Sequence, residues 1–136
     1  DLLTLEQLQT VKAGHPEAKV LVHPECRPAV QSEANFIGST AGMLNYVKDT
    51  PKPSQFIIGT EIGLIAHLRW KYPQHQYFEA DPNMICYDMK KNTMIKLLNV
   101  LKALGTPDDE FKYQIHVRPE IQRQALIPIE RMIEWT

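Results

Sequence analysis

The chain has 136 residues, of which 43% are hydrophobic, and this fits one compact domain with a single core. Fifteen basic and sixteen acidic side chains give a formal net charge of −1, so no nucleic acid or membrane partner is expected. No apolar run approaches the roughly 18 residues of a membrane span, and the first ten residues lack the features of a signal peptide. Two cysteines, Cys26 and Cys86, are too few for a disulfide scaffold, which is compatible with a reducing compartment.

Strand patterns recur through the first eighty residues. Thr4, followed by Gln7 and an apolar spacing, predicts a capped helix that stops near residues 14–16. Short apolar runs then predict four strands, at residues 19–22, 35–37, 55–58 and 76–79.

Helical spacing fills the segments between and after these strands. It predicts helices at residues 41–50, 62–70, 91–104 and 119–135, the third closed by Gly105 and Pro107 and the last bent or restarted at Pro128. This alternation predicts an α/β fold, a three-layer α/β/α sandwich with a mainly parallel four-stranded sheet and with residues 1–136 as a single domain. The apolar residues expected in its core include Met43, Leu44, Phe56, Trp70, Leu98 and Leu101.

Three polar segments directly follow predicted strands: HPEC at 23–26, GST at 38–40 and GTE at 59–61. In open parallel sheets, ligands bind at the carboxyl ends of the strands. These segments are therefore expected to meet at one edge and form a site.

The GST segment combines a turn glycine, two hydroxyl groups and the start of a helix, which suits a phosphate or a carboxylate. The alternative is that Ser39 or Thr40 only caps the helix. In the GTE segment, Glu61 would stabilise the positive end of the helix dipole and repel an anion, which favours a structural role.

The HPEC segment holds an imidazole, a carboxylate and a thiol within four residues. His23 and Glu25 suit anion binding and proton transfer, and the alternative is a solvated loop. His23, Cys26 and Cys86 could instead bind zinc, although no fourth ligand is evident. Cys86 could also be a buried structural thiol.

Four segments together resemble one known family, and their order and spacing match too. They are HPEC at 23–26, FIGSTAGM at 36–43, QFIIGTEIGL at 55–64 and CYDMKKNT at 86–93, and the closing ALIPIERMI resembles the family's C-terminal helix. The family is quinolinate synthase, and the resemblance covers nearly the whole chain.

The resemblance implies an enzyme of three similar α/β/α domains around a pseudo-threefold axis. It implies a central [4Fe–4S] cluster that receives one cysteine from each domain and keeps one iron open as a Lewis acid. The implied reaction condenses iminoaspartate with dihydroxyacetone phosphate to quinolinate, phosphate and water.

The family's site residues are carried over only where the motifs match. His23 corresponds to the residue on substrate oxygens, Glu25 to the residue in proton transfer, and Ser39 and Thr40 to residues that hold substrate carboxylate or phosphate. Glu61 is only a weak candidate.

Among the thiols, Cys86 corresponds to the cluster ligand of the third domain, whereas Cys26 is expected to be a packed bystander. Met89 is expected in the pocket wall.

The chain is also expected to be a C-terminal piece of a longer protein. It opens in a helical pattern without an initiator Met, and it holds one of three cluster ligands, the second being expected just upstream of Asp1. Alone it is expected to lack the cluster, to be inactive and to self-associate into a homo-oligomer through surface that the missing N-terminal domains would cover. The other hypothesis is a stand-alone α/β module that binds a small anion without metal, through His23 and the GST segment.

Overall fold

A computed structural model describes residues 3–104, 106, 109 and 112–135 of the chain. It contains two compact units, residues 1–87 and residues 88–136, which are described separately. The elements of the first unit are α1 (Leu5–Gly14), β1 (Lys19–Val22), α2 (Pro28–Gln31), β2 (Phe36–Ile37), α3 (Thr40–Lys48), β3 (Gln55–Gly59), α4 (Gly63–Lys71) and β4 (Gln76–Glu79).

The four strands form one sheet in the order β2-β1-β3-β4. Every neighbouring pair is parallel, with Leu21 opposite Phe36 on one side and Ile58 on the other. The predicted parallel sheet is confirmed, and β1 and β4 have the predicted bounds.

Helix α1 begins where the capping pattern predicts. The Thr4 hydroxyl accepts from the backbone N–H of Gln7 at 3.2 Å, and the Gln7 side chain accepts from the backbone N–H of Thr4 at 2.8 Å. Two of the orphan donors at the start of the helix are thereby satisfied.

Successive side chains of a strand point to opposite faces of the sheet. Both faces of this sheet carry buried apolar side chains, and helices cover each of them. One face packs with α1 and α2 around Leu3, Leu8, Ala18, Val20, Val22, Cys26, Val30, Ile57 and Ala80. The other face packs with α3 and α4 around Leu21, Met43, Val47, Phe56, Ile58, Ile65, Leu68 and Tyr77. The first unit is therefore the expected three-layer α/β/α arrangement.

The remaining helices are α5 (Tyr87–Lys90), α6 (Met94–Ala103) and α7 (Pro119–Glu134). Helix α6 starts three residues later than predicted because Thr93 is its cap, accepting from the backbone N–H of Lys96 at 3.3 Å. Helix α7 runs through Pro128 without a restart. Gly105 and Pro107, the predicted stop of α6, lie outside the described residues.

Three expected core residues are exposed, and for these the prediction was wrong. Trp70 is 78% exposed, Leu98 44% and Leu101 58%. Trp70 follows the buried Leu68 by two positions, and two positions on a helix turn a side chain by about 200°, away from the face that packs on the sheet. None of the helices within the described ranges has the length and apolar composition needed to cross a membrane.

Gly59, the last residue of β3, has no room for a side chain. A Cβ atom there would lie 2.9 Å from Val22 Cγ1 and 3.3 Å from Leu3 Cδ2, whereas a Cβ at Gly14 would meet nothing within 4 Å. We expect Gly59→Ala to lower the free energy of unfolding by about 1–3 kcal/mol through overpacking. We expect Gly14→Ala to leave it unchanged or raise it slightly. Urea denaturation of both variants, followed by circular dichroism, tests this, and equal stability of the two would contradict it.

Candidate active site

The candidate site lies along one edge of the first unit's sheet, where all four parallel strands end. Hydrogen bonds join neighbouring strand ends: the His23 N–H donates to the Gly59 carbonyl at 3.1 Å, and the Gly38 N–H donates to the Val22 carbonyl at 3.1 Å. Because adjacent strands are about 4.8 Å apart, the segments after β1 and β2 are immediate neighbours. The predicted meeting of the HPEC, GST and GTE segments at one edge is confirmed.

A tight turn presents the HPEC segment. The Cys26 N–H donates to the His23 carbonyl at 3.0 Å, and Pro24 occupies the second turn position, which its fixed φ suits. Gln31 stabilises the turn, since its side-chain amide donates to the carbonyls of Pro24 at 2.8 Å and Cys26 at 2.6 Å. Gln31 lies on the short helix α2, which the sequence pattern does not predict, so its role in the turn could not be anticipated.

The turn also orients the His23 ring. The Glu25 backbone N–H donates to His23 Nδ1 at 3.3 Å, and the nearest Glu25 carboxylate oxygen is 3.7 Å from the same nitrogen. The second distance is too long for a hydrogen bond, so the backbone contact assigns Nδ1 as an acceptor. In the neutral ring, the proton therefore resides on Nε2, which can donate to a ligand.

The two side chains differ in exposure. The His23 side chain is 28% exposed, whereas that of Glu25 is 89% exposed. A half-buried, oriented imidazole beside a solvated carboxylate can bind an oxygen atom and exchange a proton with it.

Ser39 caps α3, which is one of the two predicted roles of the GST segment. Its hydroxyl accepts from the Gly42 N–H at 3.1 Å, which leaves the hydroxyl proton free to point elsewhere. Thr40 is the first residue of α3 and is exposed. Because the first N–H groups of a helix have no intrahelical partner, this end of α3 can also bind an anion.

A side chain at Gly38 would require the Phe36 ring to move. A Cβ atom at that position would lie 2.6 Å from two atoms of the Phe36 ring. The Phe36 ring of β2 thus packs closely against the turn that leads into α3.

Cys86 lies in the loop after β4, on the same edge of the sheet. The Met84 carbonyl, two residues before it, accepts from the Ile62 N–H at 3.0 Å, which ties this loop to the segment after β3. Cys86 is an exposed free thiol, so the alternative of a buried structural thiol is wrong. An exposed thiol is a suitable soft ligand for iron.

Cys26 has the opposite environment. It is 8% exposed, and its thiol donates to the Gly59 carbonyl at 3.5 Å. Burial raises the pKa of this thiol above its usual value, which makes it less reactive. Cys26 is therefore a packed side chain, as expected.

The zinc alternative is not supported by the geometry. His23, Cys26 and Cys86 are all described, and within the described residues no three His, Cys, Asp or Glu side chains are grouped as a metal site requires.

Glu61 has a structural contact, its Oε2 accepting from the Gly63 N–H at 2.7 Å at the start of α4. Met89 belongs to the second unit, so its role in a pocket wall stays a prediction.

A cavity of about 430 Å³ lies beside β4, between His15, Arg69 and Phe78. None of the predicted site residues lines it.

The family model described as Quinolinate synthetase A protein matches residues 1–134. This chain belongs to the quinolinate synthase family. The quinolinate synthase of Caldicellulosiruptor bescii is 39% identical over 129 residues, which is 95% of this chain and 40% of the relative. That of Pyrococcus horikoshii is 36% identical over 133 residues, 98% of this chain and 41% of the relative.

Quinolinate synthase 2 of Methanosarcina acetivorans is 34% identical over 128 residues, 94% of this chain and 39% of the relative. The chain thus spans about two fifths of the length of these quinolinate synthases.

Proposed function

We propose that this chain is part of a quinolinate synthase of NAD biosynthesis, which condenses iminoaspartate with dihydroxyacetone phosphate and releases quinolinate, phosphate and water. The observation that carries the proposal is the shared edge of the sheet, where the segments with His23 and Glu25, with Ser39 and Thr40, and with Cys86 all follow strands. Membership in the quinolinate synthase family supports this proposal.

The start of α3 binds the anionic groups of the substrates in this proposal. Both substrates carry negative charge, as carboxylates or as a phosphate. The Ser39 hydroxyl proton, the Thr40 hydroxyl and the first N–H groups of α3 provide donors at the positive end of a helix dipole.

His23 and Glu25 act on the oxygen atoms and protons of the bound substrates. Because Nδ1 of His23 accepts from the backbone, its Nε2–H donates to a substrate oxygen and stabilises charge that develops there. The exposed Glu25 carboxylate accepts and returns a proton as the condensation proceeds.

Cys86 fits one ligand position of an iron–sulfur cluster, because it is a free and exposed thiol. Such clusters are bound by about three or four cysteines. We propose that the other ligands come from two similar domains in the N-terminal part of the full-length protein, and that residues 1–136 act as the C-terminal domain. When bound, a [4Fe–4S] cluster with one open iron supplies a Lewis acid for dehydration.

The 136-residue chain by itself is expected to take up no cluster and to form no quinolinate, because one thiol cannot hold a cluster.

The proposed location of the enzyme is the cytoplasm. Both cysteines are free thiols, which suits a reducing compartment.

Anaerobic reconstitution of the full-length protein, followed by iron, sulfide and quinolinate analysis, tests the proposal. We expect a [4Fe–4S] content of about one cluster per chain and quinolinate formation from the two substrates. The 136-residue chain treated in parallel is the control and is expected to gain neither. A full-length protein that incorporates no iron or sulfide but still binds small anions would favour the metal-free binding module instead.

A further inference from the structure

Asp81 is a buried carboxylate that the proposed reaction does not use. It is 5% exposed and lies two residues past the end of β4. Its Oδ2 accepts from the Gln7 side-chain amide at 2.6 Å, and its Oδ1 accepts from the backbone N–H and the side-chain amide of Asn83 at 2.8 and 3.0 Å. A buried carboxylate is tolerated only when it is well hydrogen-bonded, so these contacts constrain the groups around it.

The same residue fixes the first half of the loop that carries Cys86. The Asp81 carbonyl accepts from the Met84 N–H at 3.2 Å, and the Met84 carbonyl in turn accepts from the Ile62 N–H at 3.0 Å. Asp81 thus accepts hydrogen bonds from both Asn83 and Met84, which leaves one residue between the fixed backbone and Cys86.

Gln7 anchors this arrangement to α1. Its Oε1 accepts from the Thr4 N–H at 2.8 Å and its Nε2 donates to Asp81 at 2.6 Å, so a flip of the amide would break both contacts. The adjacent Leu8 is fully buried and holds α1 against the sheet. Gln7 therefore presents a donor in a fixed direction.

We propose that Asp81 is a positioning residue for Cys86, and that Gln7 and Asp81 together hold the Cys86 loop in place before any cluster binds. This inference rests on the proposed function and deepens it, since it assigns residues that organise the ligand loop. Asp81 and Gln7 touch neither substrate nor metal in this role.

Three variants of the full-length protein separate the two contacts of Asp81. Of the contacts of Asp81, Gln7→Leu removes only the bond between α1 and the loop, Asp81→Asn keeps one of the two acceptor oxygens, and Asp81→Ala removes the side-chain bonds to both Gln7 and Asn83. In the cluster-free protein, we expect hydrogen exchange of the Asn83 and Met84 amides to become about tenfold faster in Asp81→Ala, because bonds to a charged acceptor are lost. The other two variants are expected to show smaller increases.

Val30→Ala is the matched control. Val30 lies in the same core cluster as Leu8 and Ala80 and is fully buried, but it belongs to α2. It is expected to lower thermal stability while leaving amide exchange in residues 83–86 unchanged. A merely structural role for Asp81 predicts the same exchange pattern in both proteins, and that result would overturn the proposal.

Cluster release gives a second readout. After reconstitution, we expect Asp81→Ala to lose iron to a chelator several-fold faster than the Val30→Ala control, because a less ordered loop holds the thiolate less well. Faster exchange with unchanged iron release would also overturn the proposal. If the unaltered protein takes up no iron, the proposed function fails instead, and the exchange data still decide whether Asp81 and Gln7 order the loop.

Discussion

Replacing Cys86 by serine in the full-length protein is expected to abolish both the iron–sulfur cluster and quinolinate formation. A serine hydroxyl is a poor substitute for the thiolates that bind such clusters. The thiol is exposed and its loop is tied to the carboxyl edge of the sheet through Met84 and Ile62, so its removal is not expected to disturb the fold. Iron and sulfide analysis, cluster absorbance and a quinolinate assay after anaerobic reconstitution measure the loss.

Cys26→Ser is the matched control for this variant. The Cys26 thiol donates to the Gly59 carbonyl, and a serine hydroxyl can keep that contact. We expect normal cluster content and activity in this protein. A Cys86→Ser protein that retains its cluster would end the assignment of Cys86 as a ligand.

The strands and the edge they share could be predicted from the sequence because local and global signals agree there. In β1 the apolar run Val20 to Val22 is fully buried, as a central parallel strand requires. Once such strands are parallel, their carboxyl ends must meet, so His23 and Ser39 could be assigned to one edge without coordinates.

Short and locally capped elements were harder to predict. Helix α2 has four residues, too few for a helical period, although Pro28 at its first position was an available signal. The apolar spacing predicts that α6 begins at Lys91, whereas the side-chain cap formed by Thr93 sets its start at Met94.

The contact between α1 and the Cys86 loop could not be predicted from hydrophobic periodicity. Gln7 and Asp81 are 74 positions apart, and their hydrogen bond depends on tertiary structure alone. The sequence does contain a local signal for the contact between Asp81 and Asn83. An aspartate followed by Pro82 and Asn83 is typical of a turn in which the aspartate side chain accepts from the backbone N–H two residues later. Gly59 gave no signal of its tight packing against Val22.

Glu25→Gln is expected to slow quinolinate formation by about 10²–10⁴-fold, the usual contribution of a general acid or base. Glutamine keeps the size of the side chain and the backbone N–H that donates to His23 Nδ1, so the ring keeps its orientation. Only the ability of the side chain to accept and return a proton is lost. Cluster content is expected to match the unaltered enzyme, which separates this effect from that of Cys86→Ser.

Glu17→Gln provides the matched control, because Glu17 is an exposed carboxylate on the turn before β1, at the opposite end of that strand from Glu25. Steady-state kcat at equal cluster content distinguishes the two variants. The Glu17 variant is expected to keep the normal rate, whereas the Glu25 variant is expected to show the loss given above, since its amide cannot accept a proton from the substrate. If Glu25→Gln kept the normal rate, the proton would have to be transferred by another group, and His23, whose Nδ1 lies 3.7 Å from the Glu25 carboxylate, would be the next residue to test.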